Sequence, residues 1–558
     1  MPSQEVSQTL QLAIQHQQAN RLAQAQQLYH QVLEIQPNHP EALYNLGMLA
    51  TELGQTQTAL KWLTAAIQAQ PDVKTWFSLG NLHVAQQQYA QAVTAYRQAL
   101  ELKPLLPIYN NLGYALQQVG EFDEAIHYYQ KALEIKPDFI EAEANLGNAL
   151  HAVGKLDEKQ IYYAQLNHKL GLQREKAGDL KTAVVYYRQW LKLINPHYNS
   201  AVDEKTTQTE ILTPSVPQSE VTVGAYQFPA IPPVSDSEIR PFWTVVITVY
   251  NRTEYLLECL TSVLAQWQGF AEMEIIVMDN ASQTPVFEIV NSIGKGIVRY
   301  YRNQENIGPI KNMNAGIANS RGKWIHVLHD DDYVLPGFYA QLKQSLQQCP
   351  DSVGAAMTGF EYINEIGEVL HSEKYGYGEH SGIAQDWLVK IGVVCLVMLP
   401  AVVIRRATFE RLGGYYPQLP EISDWEMNKR IATFYDWWYE GAILARYRLH
   451  SQGLSNEYWL SGWKQAMALR RAIEMSESYL PAKYCAEITS KARSHYFNIN
   501  LEHVKTFLEA SDVDGAFRLI QEILKLDSSP QAVTKLFTWL TQAQAAPLRK
   551  EIVSKLFS

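Results

Sequence analysis

The chain is expected to fold as an α-helical solenoid followed by an α/β domain with a mostly parallel sheet, and then a closing helical segment. Three observations carry this expectation. Leu-Gly pairs recur through the first third at Leu46-Gly47, Leu79-Gly80, Leu112-Gly113 and Leu146-Gly147, with glycine spacings of 33, 33 and 34. The periodicity stops between Ser200 and Arg240, where Ser, Thr, Gln, Val and Pro dominate. Beyond that stretch, apolar runs ending in polar residues alternate with amphipathic stretches, as parallel strands joined by crossover helices do.

A chain of 558 residues has room for several domains, each with its own core. Its net charge of −10 leaves no basic excess to neutralise phosphates, which excludes a general nucleic-acid binder. Cys259, Cys349, Cys395 and Cys485 are scattered without CxxC spacing, so neither a disulfide framework nor a zinc site is expected. The N-terminus, Met1-Pro2-Ser3-Gln4-Glu5, lacks a basic flank and an apolar core, unlike a signal peptide. The longest apolar run, Gly392 to Ile404, is too short to span a bilayer and contains Pro400. A cytoplasmic protein without a transmembrane segment is expected, with peripheral attachment to the cytoplasmic membrane face left open.

Each repeat closes on a proline, at Pro37, Pro71, Pro104 and Pro137. This period and pattern match the tetratricopeptide repeat, a helix-turn-helix unit of about 34 residues. Tyr109, Leu112, Gly113, Gly120, Ala125, Tyr129, Ala132 and Pro137 show its register best. Small residues let the paired helices approach, and aromatic and leucine side chains fill the space between units. Ala25, Tyr29 and Pro37 indicate an earlier unit, and Leu170, Gly171, Gly178, Ala183 and Tyr187 a fifth. Only 24 residues separate Gly147 from Gly171, so irregular packing is expected at about 155–170. The superhelix is assigned to 1–199. The residue before each Leu-Gly is Asn45, Ser78, Asn111 or Asn145. A carboxamide pairs with a peptide N–H and C=O at once, so Asn45, Asn111 and Asn145 on a concave face are candidates for holding a protein segment. In this the units resemble those of the O-linked N-acetylglucosamine transferases. The alternative is a row of polar residues that merely solvates a helix face.

Residues 200–240 are expected to be an extended linker. Then Trp243 to Val249 reads as a buried strand ending at Tyr250-Asn251, followed by a helix with Leu256, Leu260, Val263 and Leu264 on one face. A second strand, Glu274 to Met278, ends in Asp279-Asn280-Ala281-Ser282, and a third, Ile297 to Tyr301, precedes Asn306-Ile307-Gly308-Pro309. A helix around Asn314-Ala315-Gly316 leads into Gly322-Lys323-Trp324-Ile325-His326-Val327-Leu328-His329-Asp330-Asp331-Asp332. Three adjacent carboxylates at a strand end repel one another, and a bound divalent cation removes the objection because hard cations take oxygen ligands. The alternative is a solvated acidic turn. Ligands of such sheets sit at the carboxyl ends of the strands, where Tyr250, Asp279 and the acidic triplet all fall.

The segments Val246 to Arg252, Ile275 to Ser282, Asn306-Ile307-Gly308, Asn314-Ala315-Gly316, His329 to Pro336, Gly413-Gly414-Tyr415 and Asp424-Trp425 together resemble the family 2 glycosyltransferases of the GT-A fold, over about 241–456. The resemblance implies a nucleotide-sugar donor, with UDP the first choice, an acceptor hydroxyl on a protein, peptide or glycan, and Mn²⁺ or Mg²⁺ as cofactor. It implies that Asp279 contacts the base, where an acidic acceptor facing uracil N3–H makes sense. Thr248 and Tyr250 would flank the base or diphosphate, and Lys311 would reach the nucleotide. His329 stands where the family often has Asp. Asp330 then corresponds to the ribose-contacting carboxylate, Asp331 to the principal metal ligand and Asp332 to a second ligand or orienting group. Asp424 corresponds to the base that deprotonates the acceptor in inverting members, with Ser423 replacing the usual Glu and with Glu426 and Glu421 in reserve. A helix N-cap is the plainer role for Asp424. Tyr447-Arg448-Leu449-His450 resembles the family's Arg-x-His, which makes His450 a metal or diphosphate ligand supported by Arg448.

Residues 457–558 are expected to be helical, with Gly515-Ala516-Phe517 through Pro530 echoing half a repeat. The functional expectation is an inverting, metal-dependent glycosyltransferase of hexosyl or N-acetylhexosaminyl groups, with repeats that bind a protein acceptor or partner. Its rivals are a non-catalytic scaffold with a vestigial transferase domain and a transferase of surface polysaccharide synthesis whose repeats only mediate assembly.

Overall fold

The paired helices of the first third follow directly from the spacing of small and bulky residues. The computed structural model describes residues 2–136, 139–152, 156–204, 209–235, 240–378, 380–450 and 462–556. It divides into two compact units, Met1–Leu166 and Asn167–Ser558. In the first unit Pro2–Gln18 pairs with Leu22–Ile35, Pro40–Glu52 with Thr56–Ala69, Val73–Ala85 with Tyr89–Leu102, and Leu106–Gln118 with Phe122–Ile135. A Cβ added at Gly113 would lie 2.7 Å from the Tyr129 ring, so only glycine permits that approach. The Tyr129 hydroxyl then donates to Gln117 Oε1 at 2.9 Å. Helix starts use local chemistry. Pro40 opens its helix, and the Asp72 carboxylate accepts from the N–H groups of Lys74 and Thr75.

The short Gly147-to-Gly171 interval has a plain cause. One helix, Leu156–Lys176, follows Ile140–Ala152 and carries on through Gly171, so the turn that normally separates two repeats is missing. Gly171 packs on Tyr187 as Gly113 does on Tyr129. Yet Ala183, Val184, Tyr187 and Leu191 on the following helix, Leu180–Ile194, share a core with Val245, Leu260 and Ile293 of the α/β domain. The fifth hairpin, assigned from sequence to the superhelix, therefore belongs to the second unit from Asn167 onward. Its outer face meets helices Leu256–Leu264 and Val286–Gly294 where a further repeat would otherwise stack. Asn195 Nδ2 donates to the carbonyls of Leu264 and Trp267 at 2.7 and 3.0 Å, and the Tyr198 hydroxyl to that of Ile293 at 2.7 Å.

The second unit is built on a sheet whose strands are β1 (Ile211–Leu212), β4 (Trp243–Val249), β5 (Met273–Asp279), β6 (Val298–Arg302), β7 (Trp324–His329), β8 (Tyr333–Val334), β9 (Val353–Ile363), β10 (Val369–Glu373), β11 (Gly382–Ile383), β12 (Val402–Arg405) and β13 (Asp436–Arg448). A separate hairpin joins β2 (Glu220–Val223) to β3 (Tyr226–Pro229). The order is β1-β6-β5-β4-β7-β12-β9-β13-β11, with β10 beside β9 and β8 beside β13. Pairs among β1, β6, β5, β4 and β7 are parallel, as is β13 with β9, while β12 runs antiparallel between β7 and β9. Alternate residues point to opposite faces. Val245, Ile247, Ile275 and Val277 face one core, and Val246, Ile276 and Met278 face the other.

The segment expected to be a bare linker is partly structured. β1 adds to the sheet edge in register with Tyr300 and Tyr301, and Phe228 and Ile231 are buried. Its alternating Val221, Val223 and Phe228 supply an apolar face, and its prolines fall where the hairpin ends. The Pro229 carbonyl accepts from Gly414 N–H at 2.8 Å, and that of Pro232 accepts from Arg406 Nη2 at 2.8 Å. At the other end, helices Trp463–Glu477 and Ala482–Glu509 add Leu469, Ile473 and Tyr496 to the second core. Helices Val513–Leu526, Pro530–Leu540 and Ala546–Leu556 close a smaller cluster around Leu519, Ile523, Leu536 and Leu548. The expected boundary at 456 and the repeat proline Pro137 lie outside the described residues. No described helix is long and apolar enough to cross a membrane.

Candidate active site

Strand register brings the candidate residues to one edge. Thr248 of β4 pairs with His329 of β7, and Val249 with Asp279 of β5, so Tyr250, Asn280 and Asp330 all leave the sheet at its carboxyl end. β13 delivers a fourth chain end there, because Asp332 Oδ1 accepts from Arg448 N–H at 3.0 Å.

The acidic turn is the centre of the arrangement. Asp330 and Asp332 are buried, and Asp331 is the more open of the three. Arg252 Nη1 donates to Asp330 Oδ1 at 3.0 Å and also to Asp331 Oδ2. His450 Nε2 lies 2.8 Å from the same Asp331 oxygen, with its ring against Tyr255. Burial works against a charge on Asp331, but the His450 bond and the Arg252 guanidinium outweigh it and hold the carboxyl at about 2. Burial and the neighbouring Asp331 charge push Asp330 and Asp332 well above the ordinary carboxylate range. The Arg252 guanidinium offsets the like charges at the strand end.

Fit to a cation can be judged from the oxygens. Asp332 Oδ2 is buried and meets no hydrogen-bond partner among the described residues. A buried carboxylate oxygen without a partner is costly unless a proton or a metal meets it. Among the described residues no group of three or more His, Cys, Asp or Glu side chains is arranged to hold a metal ion by itself. A site for a hard cation that completes its shell with substrate phosphates needs only one or two carboxylates, so Asp331 and Asp332 with His450 alongside fit such a group.

Around the turn, Thr248 Oγ1 lies 2.9 Å from His329 Nδ1, which ties the first strand to the acidic one. Tyr250 is 46 % exposed and presents an open ring at the edge. Asp279 is enclosed by protein partners. It is fully buried, with Oδ1 accepting from Ser282 N–H at 2.8 Å and Oδ2 from Tyr300 Oη and from Arg302 Nη1 at 2.6 Å. Its carboxylate closes the β5 turn, and contact with a base would require one of these bonds to be exchanged. Lys311 is exposed in the first turn of helix Pro309–Ala318. That helix is anchored by carboxamides that sequence reading passed over. Asn280 Oδ1 accepts from Ile307 N–H and Asn303 Nδ2, and Asn303 Nδ2 also donates to Asn312 Oδ1. Asn280 was visible in Asp279-Asn280, but Asn303 and Asn312 lie outside the quoted motifs and nothing along the chain pairs the three.

Asp424 lies in the first turn of helix Ser423–Phe434, one residue inside the helix and two past its N-cap Ile422, with Oδ1 accepting from Trp425 N–H at 2.7 Å. Burial raises its carboxyl above the ordinary range. Among the described residues no hydrogen bond or ion pair joins Asp424 or Lys311 to the acidic turn. Glu426, held in reserve as a base, is fully buried in an ion pair with Arg430 at 3.0 Å, so it is structural. The Gly413-Gly414-Tyr415 turn beside it is fixed by Asn314, whose amide donates to Tyr415 O and whose oxygen accepts from Tyr415 N–H, both at 2.8 Å.

On the repeats, Asn111 Nδ2 donates to Asn81 Oδ1 at 3.0 Å and Asn145 Nδ2 to Asn110 Oδ1 at 3.2 Å. Tyr44 Oη and Ser78 Oγ lie 3.4 Å apart. Asn45 is partly exposed. Asn111 and Asn145 thus bond to amides of the preceding unit, Asn81 and Asn110, which the Leu-Gly register did not single out.

Comparison with known proteins agrees with this geometry. The family model for glycosyl transferase family 2 matches residues 244–405, and tetratricopeptide repeat models match 16–82, 80–120 and 107–139. An uncharacterized glycosyltransferase of Rickettsia prowazekii (strain Madrid E) is 23 % identical over 220 residues, 39 % of this chain and 66 % of its own length. The succinoglycan biosynthesis protein ExoO of Rhizobium meliloti is 34 % identical over 124 residues, 22 % of this chain and 33 % of its own. A GalNAc(5)-diNAcBac-PP-undecaprenol beta-1,3-glucosyltransferase of Campylobacter jejuni is 31 % identical over 111 residues, 19 % of this chain and 35 % of its own. The chain therefore spans less than two thirds of these relatives. The crystal structure of MamA protein covers 29 % of this chain and 89 % of its own at 25 % identity, with a TM-score of 0.27. Residues 244–405, which carry β5 to β7, β12 and all but the first residue of β4, belong to glycosyl transferase family 2, and the helical pairs within 16–139 are tetratricopeptide repeats.

Proposed function

We propose that the second unit transfers a hexosyl or N-acetylhexosaminyl group from a UDP-sugar to an acceptor hydroxyl, with inversion. The observation that carries this reading is the meeting of Tyr250, Asp330, Asp331, Asp332 and His450 at one sheet edge of a family 2 glycosyl transferase segment. Tyr250 offers an exposed face for the base, and Asp330 offers a carboxyl for the ribose. Asp331 and Asp332, with His450 beside them, would hold Mn²⁺ or Mg²⁺. When bound, the cation offsets the diphosphate charge and stabilises the leaving group.

Asp424 is the base in this reading. Its Oδ takes the acceptor hydroxyl proton as the acceptor oxygen bonds to the anomeric carbon and the sugar–phosphate bond breaks, releasing the nucleoside diphosphate. A carboxylate raised by burial is better matched to that task than an ordinary one. The repeats support a protein segment as acceptor or partner, along the first-helix face that carries Asn45, Asn111 and Asn145. A glycan acceptor is the second reading, favoured by the relatives named for succinoglycan biosynthesis and for an undecaprenol-linked glucosyltransferase. A cytoplasmic protein that reaches the membrane face peripherally suits it.

Calorimetry of the full chain with UDP, GDP and dTDP, each with Mn²⁺, Mg²⁺ or chelator, tests the donor half. The expected result is cation-dependent binding of UDP that weakens at least tenfold in Asp331→Asn. No binding of any nucleotide would favour the scaffold reading.

A further inference from the structure

Arg448 is the residue that wraps the acidic turn, and its surroundings are more elaborate than a strand end needs. It is 4 % exposed. Its backbone N–H donates to Asp332 Oδ1, and its Nε donates to Asp331 O, both at 3.0 Å. Nη1 donates to the carbonyls of Asn364 and Glu365 at 3.2 and 3.1 Å, and the guanidinium stacks on Tyr255 at 4.4 Å. These acceptors on the guanidinium are neutral. The carboxylate that balances its charge is Glu258, whose Oε2 accepts from Nη2 at 2.5 Å. Glu258 sits in the first turn of helix Leu256–Leu264, where a negative charge is favoured.

Glu258 is itself held from the fifth hairpin. Its N–H donates to Glu175 Oε1 at 3.3 Å, and Glu175 Oε2 accepts from the Tyr187 hydroxyl at 2.6 Å. A second tie runs in parallel, from Lys176 Nζ to Ile366 O at 2.9 Å, beside the carbonyls that Arg448 grips. Burial of Glu175 favours its neutral form, which spares Glu258 a like charge across this contact.

We propose that Glu258 is a positioning residue for the acidic turn, holding Arg448 in the pose in which its backbone and guanidinium fix Asp331 and Asp332. The proposal rests on the donor-site reading above. Removing the charge of Glu258 leaves a buried guanidinium without its counter-ion, and the arginine turns toward the remaining carboxylates of the turn. Asp331 and Asp332 then meet an incoming nucleotide and cation out of place. The fifth hairpin thereby becomes part of the site's support.

The test compares the full-length wild type with Glu258→Gln and with Glu274→Gln. Glu274 is a buried carboxylate at the amino end of β5, where it pairs with Arg299 and Arg321 away from the acidic turn. Two quantities are read: the Kd for UDP with Mn²⁺ by calorimetry, and the melting temperature. Glu258→Gln should weaken UDP binding by about tenfold, the loss of one charge-assisted bond. Glu274→Gln should lower the melting temperature and leave the Kd unchanged. Wild-type binding with an unaltered Kd in Glu258→Gln overturns the positioning role alone. So does a Kd that rises equally in both variants, because it would track stability. A wild type that binds no UDP overturns the donor-site reading and this inference with it.

Discussion

Glu175 offers the sharpest quantitative check on how the fifth hairpin is joined to the transferase. Its side chain is 7 % exposed, and burial pushes its carboxyl up to about 8 from an ordinary value of 4.5. The folded state therefore binds this proton more tightly than the unfolded chain does. The stability that follows is fully present below about pH 4.5 and is lost as pH rises through 8. At about 1.4 kcal/mol per pH unit, the loss is at most about 5 kcal/mol. Glu175→Gln mimics the neutral acid, keeping an acceptor for Glu258 N–H or the Tyr187 hydroxyl while carrying no titrating proton. At about 1 °C per kcal/mol for a unit of this size, the variant should match wild type at pH 5. It should melt up to roughly 5 °C higher at pH 8. The assay is thermal unfolding of the full chain at half-unit steps from pH 4.5 to 8.5. Parallel curves for the two proteins would show that Glu175 is charged and solvated at neutral pH. The hairpin would then not be sealed against the helix that carries Glu258.

Three further outcomes are expected. Gly113→Ala should destabilise the repeats by about 1–3 kcal/mol in chemical unfolding, because the new Cβ meets the Tyr129 ring, and an unchanged midpoint would refute the packing argument. His326 is buried with Nε2 donating to Pro400 O and Nδ1 accepting from the Tyr339 hydroxyl, and burial holds it at about 3. That stability is present above 6.5 and lost as pH falls toward 3, so His326→Gln should flatten the acid limb of unfolding, by about 3 kcal/mol at pH 4. Asp424→Asn should cut transfer by about 10²–10⁴-fold with UDP affinity intact, and the wild-type rate should fall on the acid side above the ordinary carboxylate range. A variant that keeps full rate would remove Asp424 from the mechanism.

The parts of this fold that depend on local period were legible along the chain. Leu-Gly spacing gave the helical pairs, and the polar ends of Trp243–Val249, Met273–Asp279 and Trp324–His329 gave the edge at which Tyr250 and the acidic triplet meet. What lay hidden is long-range. The merger of two repeats into Leu156–Lys176 follows from a missing turn, which shortens the interval without saying which neighbour the next helix will choose. Leu180–Ile194 has a repeat's pattern because an amphipathic face does not name the surface it covers. β1 and the β2–β3 hairpin were lost behind their prolines. The partners that enclose Asp279, Tyr300 and Arg302, come from β6 and could not be paired with it along the chain. Arg252 was visible in the first motif, but its place between Asp330 and Asp331 is set by a contact about eighty residues away in sequence.

The chemistry proposed for the acidic turn is breakage of a nucleotide sugar. Its most direct test is release of nucleoside diphosphate from a panel of UDP-, GDP- and dTDP-sugars, with Mn²⁺, with Mg²⁺ and with chelator. Wild type is measured beside Asp331→Asn. Slow, cation-dependent release from a UDP-sugar that disappears in the variant is the predicted result. Release that persists unchanged in Asp331→Asn, or in chelator, would contradict the account.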